Sequence, residues 1–191
     1  MAELIKPGQG IIFMKVGTHA QESLEDIINR KTREIEESGF AMWGYGGATC
    51  HPRNAVQPFA RDFRERGEPI YLCMEEMDSK HFAEQVRADE WSEDGQNWHI
   101  IPPKISVLGS RYALVIKNLR REDFSLPLHE TKVALGNCIG RAGSNYIKGR
   151  VDKACLEVAH SDDHAVEDRP VKIKLVADLV DPYAVYVRNR M

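Results

Sequence analysis

The chain has 191 residues, 42% of them hydrophobic, with 26 Lys and Arg against 29 Asp and Glu for a formal net charge of −3. That length and composition suit one globular domain with its own core, expected to span residues 1–191. They exclude a collagenous or low-complexity chain, and with no apolar run long enough to cross a bilayer and no leader-like start, no membrane contact and a cytoplasmic location are expected.

In chain order, Gly10 to Val16 (GIIFMKV) reads as a buried strand closed by Gly17. Thr18 with Gln21 forms a capping-box signal for a helix that Gly39 stops, its buried stripe being Leu24, Ile27, Ile28 and Ile35. Phe40 to Tyr45 reads as a second strand running into Gly46 and Gly47, and Pro58 to Gly67 as a short amphipathic helix with Pro58 in its first turn. Pro69 to Met74 is a further buried strand. A helical start near Lys80 to Val86 leads into a long ordered loop to Pro103 that holds Trp91 and Trp98. Arg111 to Leu119 alternates as a strand, residues 120–150 are irregular and glycine-punctuated, and Val151 to Ala159 fits strand or helix equally. After the polar loop His160 to Arg169, Val171 to Leu179 and Tyr183 to Val187 read as two closing strands joined by a turn at Asp181-Pro182. Six or seven strands and two or three helices make an α+β domain.

Four cysteines (Cys50, Cys73, Cys138, Cys155) lie far apart with no Cys-x-x-Cys pair, so they read as free thiols of a reducing compartment. Cys50-His51 is a candidate nucleophile pair, although neighbours on a strand point to opposite faces, so the imidazole would come from elsewhere, His19, His81 or His129 being available. His160 and His164 flank two carboxylates without the helical context that would aim both rings at one metal ion, and no metal is assigned. Gly136, Gly140 and Gly143 match neither a P-loop nor a dinucleotide fingerprint, so no cofactor is expected.

Two features point to a ligand. Trp43 and Tyr45 share one face of their strand, with Gly46 and Gly47 beside them, and stacking a base on such a ring contributes ~1–3 kcal/mol. Charge is also uneven. Residues 104–155 carry 10 cations against 4 anions, whereas residues 1–103 carry 11 against 18. Arg111, Lys117, Arg120, Arg121, Lys132, Arg141 and Lys148 from that stretch are candidate phosphate contacts.

The order of these features resembles the PUA-like superfamily, in particular the YTH and EVE domains that bind modified bases. The resemblance covers about residues 11–137. It is carried by Ile12-Phe13-Met14-Lys15, the helix leading to Trp43, Phe59 to Phe63, Gly67 to Leu72, Ser79-Lys80-His81-Phe82, Tyr112 to Leu119, and Leu126-Pro127-Leu128 to Asn137. It implies a twisted, partly closed mixed sheet with flanking helices, which residues 138–191 complete or extend. It also implies an aromatic cage that holds a flipped base, with Trp43 as one wall and Trp91 or Trp98 as the other. The expected function is non-catalytic binding of nucleic acid or nucleotide. A small hydrolase or transferase using Cys50 with a histidine, or an interaction subunit of a larger assembly, are the alternatives.

Overall fold

The computed structural model describes residues 4–46, 50–80 and 85–190, the side chains of 79 and 80 excepted. Among the described residues nine strands and three α-helices follow one another as β1 (Gly10–Thr18), α1 (Leu24–Ser38), β2 (Ala41–Gly44), α2 (Arg53–Glu65), β3 (Tyr71–Lys80), β4 (Glu90–Ser92), β5 (His99–Ile100), β6 (Tyr112–Pro127), β7 (Lys132–Val133), α3 (Gly143–Tyr146), β8 (Lys153–Glu157) and β9 (Pro170–Arg188). The fold is α+β, as expected, with more strands than the six or seven read from the sequence.

All nine strands form one mixed sheet in the order β2-β6-β9-β3-β1-β8-β7, with the β4–β5 hairpin joined to the end of β9. Only β1 and β3 are parallel, joined in register from Ile11 opposite Tyr71 to Glu76 opposite Val16. The path ends at β2 and β7, so the sheet is open rather than partly closed. The two strands expected around Asp181-Pro182 are one, because β6 pairs with β9 on both sides of that bend, from Tyr112 opposite Tyr186 to Pro127 opposite Pro170. The ladder takes up the bend with register shifts and a left-handed Tyr183 (φ 69°) instead of breaking.

Side-chain alternation sorts the interior into three clusters. Ile12, Met14, Trp43, Tyr45, Leu72, Leu114 and Ile116 face the helices α1 and α2. Ile11, Phe13, Leu126, Val133, Leu156 and Ile173 fill the other side of the sheet towards β7. Met42, Val115, Val185 and Val187 lie on that same other side at the β2 end, under Ile101, Ile105 and Val107.

Both long helices start where local chemistry differs from the sequence expectation. The cap of α1 is Ser23, which accepts the Asp26 N–H at 3.1 Å, while Ala20 and Gln21 take left-handed conformations in a turn closed by His19 and Glu22. Gly39 ends α1 at φ 85°, donating to the Ile35 carbonyl at 2.8 Å. α2 begins at Arg53, so Pro58 lies inside the helix and not in its first turn. Between β3 and β4 no helix is described from residue 85 onward, and the expected start at Lys80 to Val86 otherwise falls on β3's last residue and on residues outside those described.

Candidate functional site

Strand β2 is an edge strand, and its alternation builds one wall of a cavity. Ala41, Trp43 and Tyr45 turn towards α1 and α2, and Met42 turns to the opposite side. The Tyr45 N–H donates to Tyr112 at 3.1 Å, so in the antiparallel ladder the backbone groups of residues 41, 43 and 45 bond β6 while those of 42 and 44 point away from it. The Met42 carbonyl is met by Lys31. Gly44, whose peptide groups point away from β6, lines the cavity.

The cavity measures about 460 Å³. Its apolar lining comes from Met14 and Val16 of β1, Leu24 and Ile27 of α1, Trp43, Met77 of β3 and Leu108, and the Ser106–Ser110 segment forms the wall next to β2. His19 closes one rim, its Nε2 lying 3.4 Å from the Leu108 carbonyl. Asp152 and Lys153, paired at 3.3 Å, stand at another.

Beneath the Ser106 wall lies a buried ionic pair. Lys31 and Glu34 are 3% and 2% exposed. Lys31 donates to the carbonyls of Met42 (2.6 Å) and Ser106 and lies 3.2 Å from Glu34, while the other Glu34 oxygen accepts the Ser106 N–H at 2.9 Å. The peptide groups of Ser106 are thus satisfied by two side chains of α1 in place of a strand neighbour. Arg30 pairs with Glu22 at the cavity and with Glu34 at 3.6 Å. Burial lowers the Lys31 ammonium to about 8, opposed by the attraction of Glu34. The sequence signal for this pair was available, because Lys31 and Glu34 continue the Leu24, Ile27, Ile28 stripe at helical spacing; a charge on that stripe needs a buried partner.

The glycines of the segment serve packing. A Cβ at Gly44 would overlap Ser110 Oγ, and one at Gly46 would overlap the Tyr112 ring, so the space expected to stay open beside Trp43 and Tyr45 is taken by β6 and its lead-in. Tyr45 is fully buried and donates its hydroxyl to the Phe13 carbonyl at 3.0 Å, which makes it a tie between β2 and β1 more than a surface for stacking. Gly47 lies outside the described residues.

Neither Trp91 nor Trp98 joins Trp43. Trp91 packs on the Met42, Val115 and Val185 side of the sheet, lining a separate groove of about 430 Å³ with Phe40 and Val180. Trp98 carries the Arg188 guanidinium 3.8 Å from its ring centre, in the hairpin beyond Trp91. The expected cage of two tryptophans is corrected accordingly: a strand's two faces are separate environments, and the loop folds onto the one that Trp43 does not face.

The basic residues divide likewise. Arg120 is held by Asp178 (3.2 Å) and Glu122 (3.4 Å), and Arg121 by Glu25. Arg111 and Lys117 fall at every second position with Ala113 and Val115, which places them on the Trp91 side. Lys132, Arg141 and Lys148 belong to the β7–α3–β8 cap at the other end of the sheet. The seven do not share one face.

Cys50 and His51 are not arranged as nucleophile and base. The Cys50 thiol lies 3.3 Å from the Tyr112 hydroxyl, which donates to the His51 carbonyl at 2.6 Å. Burial pushes the thiol up and the His51 imidazole down, so neither is readily charged at neutral pH. The His51 ring lies parallel to Tyr146, centroids 6.3 Å apart, and its Nε2 has no hydrogen-bond partner among the described residues. His129 accepts the Arg169 N–H and approaches Asp168 at 3.3 Å, and His81 lies outside the described residues. Among the described residues no group of three His, Cys, Asp or Glu side chains is placed to hold a metal ion, and no helix is long and apolar enough to cross a membrane. Gly136 and Gly140 sit in left-handed turns, and Gly143 packs against Thr131.

Known protein families, curated proteins and solved structures contain no match to this chain.

Proposed function

We propose that this protein is a non-catalytic binder of nucleic acid or nucleotide, holding one base, a modified base above all, against Trp43 in the cavity beside β2. The observation that carries this reading is that Trp43 and Gly44, the latter with peptide groups turned away from β6, line the same cavity. An aromatic wall next to backbone not taken up by the β6 ladder is what a planar heterocycle requires, with stacking on its face and hydrogen bonds on its edge. The cavity's size falls within the ordinary range for small-ligand sites, roughly 300–1,000 Å³. Around its inner end Arg30 and Lys31 are balanced by Glu22 and Glu34, so that end is suited to a neutral group.

The second wall in this reading is aliphatic and thioether, supplied by Met14, Leu24, Met77 and Leu108, in place of a second tryptophan. The PUA-like reading stands on the same arrangement: a helix followed by the tryptophan-bearing strand, with the cavity between that strand, the helix and the first strand.

The test uses Trp43 as its own reporter. In a Trp91→Phe, Trp98→Phe background, nucleosides, nucleoside monophosphates and short single strands, plain and base-methylated, are titrated at low salt. Quenching that saturates, and is absent from the same protein carrying Trp43→Ala, is the expected result. No change in fluorescence with any of these ligands would refute the reading.

A further inference from the structure

Resting on the cavity reading, we infer that Lys31 and Glu34 are positioning residues for the bound base: they tie the Ser106–Ser110 wall to the strand that carries Trp43 and so fix the shape of the cavity's inner end.

One ammonium makes the tie. Lys31 Nζ donates at 2.6 Å to the carbonyl of Met42, the residue before Trp43 on β2, and also to the carbonyl of Ser106. Two carbonyls that share one ammonium cannot lie further apart than about two hydrogen-bond lengths, ~6 Å. Glu34, one helical turn after Lys31, accepts the Ser106 N–H at 2.9 Å, so both peptide groups of Ser106 are held and its orientation with them. Lys31 also lies 3.2 Å from Glu34. With two carbonyls and a carboxylate around it, the ammonium is occupied within the walls and acts on a ligand through their placing.

The backbone of the wall bonds away from the cavity. The Ala88 N–H donates to the Val107 carbonyl (2.8 Å) and the Gly109 N–H to the Val86 carbonyl (3.2 Å), while Arg87 donates to the carbonyls of Ile105 (2.6 Å) and Pro103 (3.2 Å). Residues 86–88 and 105–109 thus form a ribbon of their own. On its cavity side the hydrogen bonds come from side chains, Lys31 and Glu34 at Ser106 and the longer His19 contact at Leu108 (3.4 Å). Lys31 and Glu34 are buried, whereas His19 stands half-buried at the rim. A buried ion pair is a poor source of stability, because apolar residues of similar volume fill the same space without desolvating two charges. What this pair adds is direction, in hydrogen bonds of set geometry at the wall of a binding site.

The test is made in the Trp91→Phe, Trp98→Phe background, where Trp43 reports alone. Lys31→Met, Glu34→Gln and Lys31→Met/Glu34→Met are compared with the unaltered pair in urea midpoint, in acrylamide quenching of Trp43 without ligand, and in titration with adenosine and cytidine monophosphates, plain and base-methylated. Lys31→Met is expected to weaken monophosphate binding about tenfold and to raise acrylamide quenching, since Trp43 is buried while the wall is in place. Glu34→Gln, which keeps an acceptor for the Ser106 N–H, should retain most of the affinity. The double variant separates placing from stability. With no charge left unpaired its urea midpoint should recover towards that of the unaltered pair, while affinity and quenching stay at the Lys31→Met values. If Lys31→Met does not fold, the double variant makes the same comparison against the unaltered pair. Full affinity in either variant lacking Lys31 overturns the positioning role and leaves the cavity reading intact. If the unaltered pair binds no monophosphate, the cavity reading falls and the positioning role with it.

Discussion

The two faces of the β2–β6 pair each hold a tryptophan, and they surround it differently. On one face Trp43 stands among backbone groups, a paired Arg30 and Glu22, and a wall pinned by Lys31 and Glu34. On the other, Trp91 lies among Phe40, Met42, Val115, Val180 and Val185, with Lys117 and Asp181 at the margin. The hollows are of similar size, about 460 and 430 Å³, so volume does not separate them. Polar groups do: His19, Glu22, Arg30 and Lys31 line the Trp43 hollow, whereas the Trp91 hollow is mainly apolar, with Ser38, Lys117 and Asp181 among its lining.

The largest test of this contrast concerns Lys31. Its ammonium is lowered from 10.5 to about 8, so below pH 8 the native and unfolded states both hold the proton. Between pH 8 and 10.5 the native state has released it and the unfolded chain keeps it, so the unfolded state binds more protons and stability rises with pH. Compared with Lys31→Met, the unaltered protein should therefore gain on the order of 3 kcal/mol across that window, read from denaturant midpoints. Titrations of groups that do not interact with Lys31 are common to both proteins and cancel. A flat difference would mean that Lys31 is not buried as described.

Next in size, Trp43→Ala should cost ~1–3 kcal/mol of base binding, measured by titration with nucleoside monophosphates. Trp91→Ala should leave that affinity unchanged while lowering the thermal midpoint, because its ring only packs. Equal losses of affinity in the two variants would break the contrast. Gly46→Ala should then destabilise by about 1–3 kcal/mol in urea unfolding, since its methyl must displace the Tyr112 ring. A neutral outcome would show that Tyr112 has room to move.

The smallest effect is expected from the thiols. Burial pushes Cys73 up to about 12 and raises Cys155 and Cys50, so iodoacetamide near neutral pH should label Cys50 slowly and reach Cys73 and Cys155 only on unfolding. Fast, selective labelling of Cys50, followed by mass spectrometry, would restore the thiolate reading.

What could be read from the sequence was local. The apolar run of β1, the glycine that stops α1 and the alternation of β6 each depend on neighbours a few residues away, and each was legible. Ser23 outcompeted Thr18 as the cap of α1 because Ala20 and Gln21 turn the chain between them, a conformation that propensity does not signal. Trp43 lines a cavity, but the room read beside it from Gly46 is filled by the Tyr112 ring, which the chain brings there from β6. The side on which Trp91 lands depends on β4 pairing with β9 almost a hundred residues later, Trp91 lying opposite Val187. The same holds for the basic residues: a run of cations along the chain gives no account of which carboxylates the fold brings to Arg120 or Arg121.

The position of β9 also has a temporal consequence. It lies between β6 and β3, near the middle of the sheet, although it follows every other described strand in sequence. Until residues 170–188 are synthesised, β6 and β3 each present an open edge and β2 has no route to the rest of the sheet. During translation the protein therefore carries unsatisfied backbone and apolar strand faces until β9 emerges, the condition under which nascent chains depend most on protection from one another.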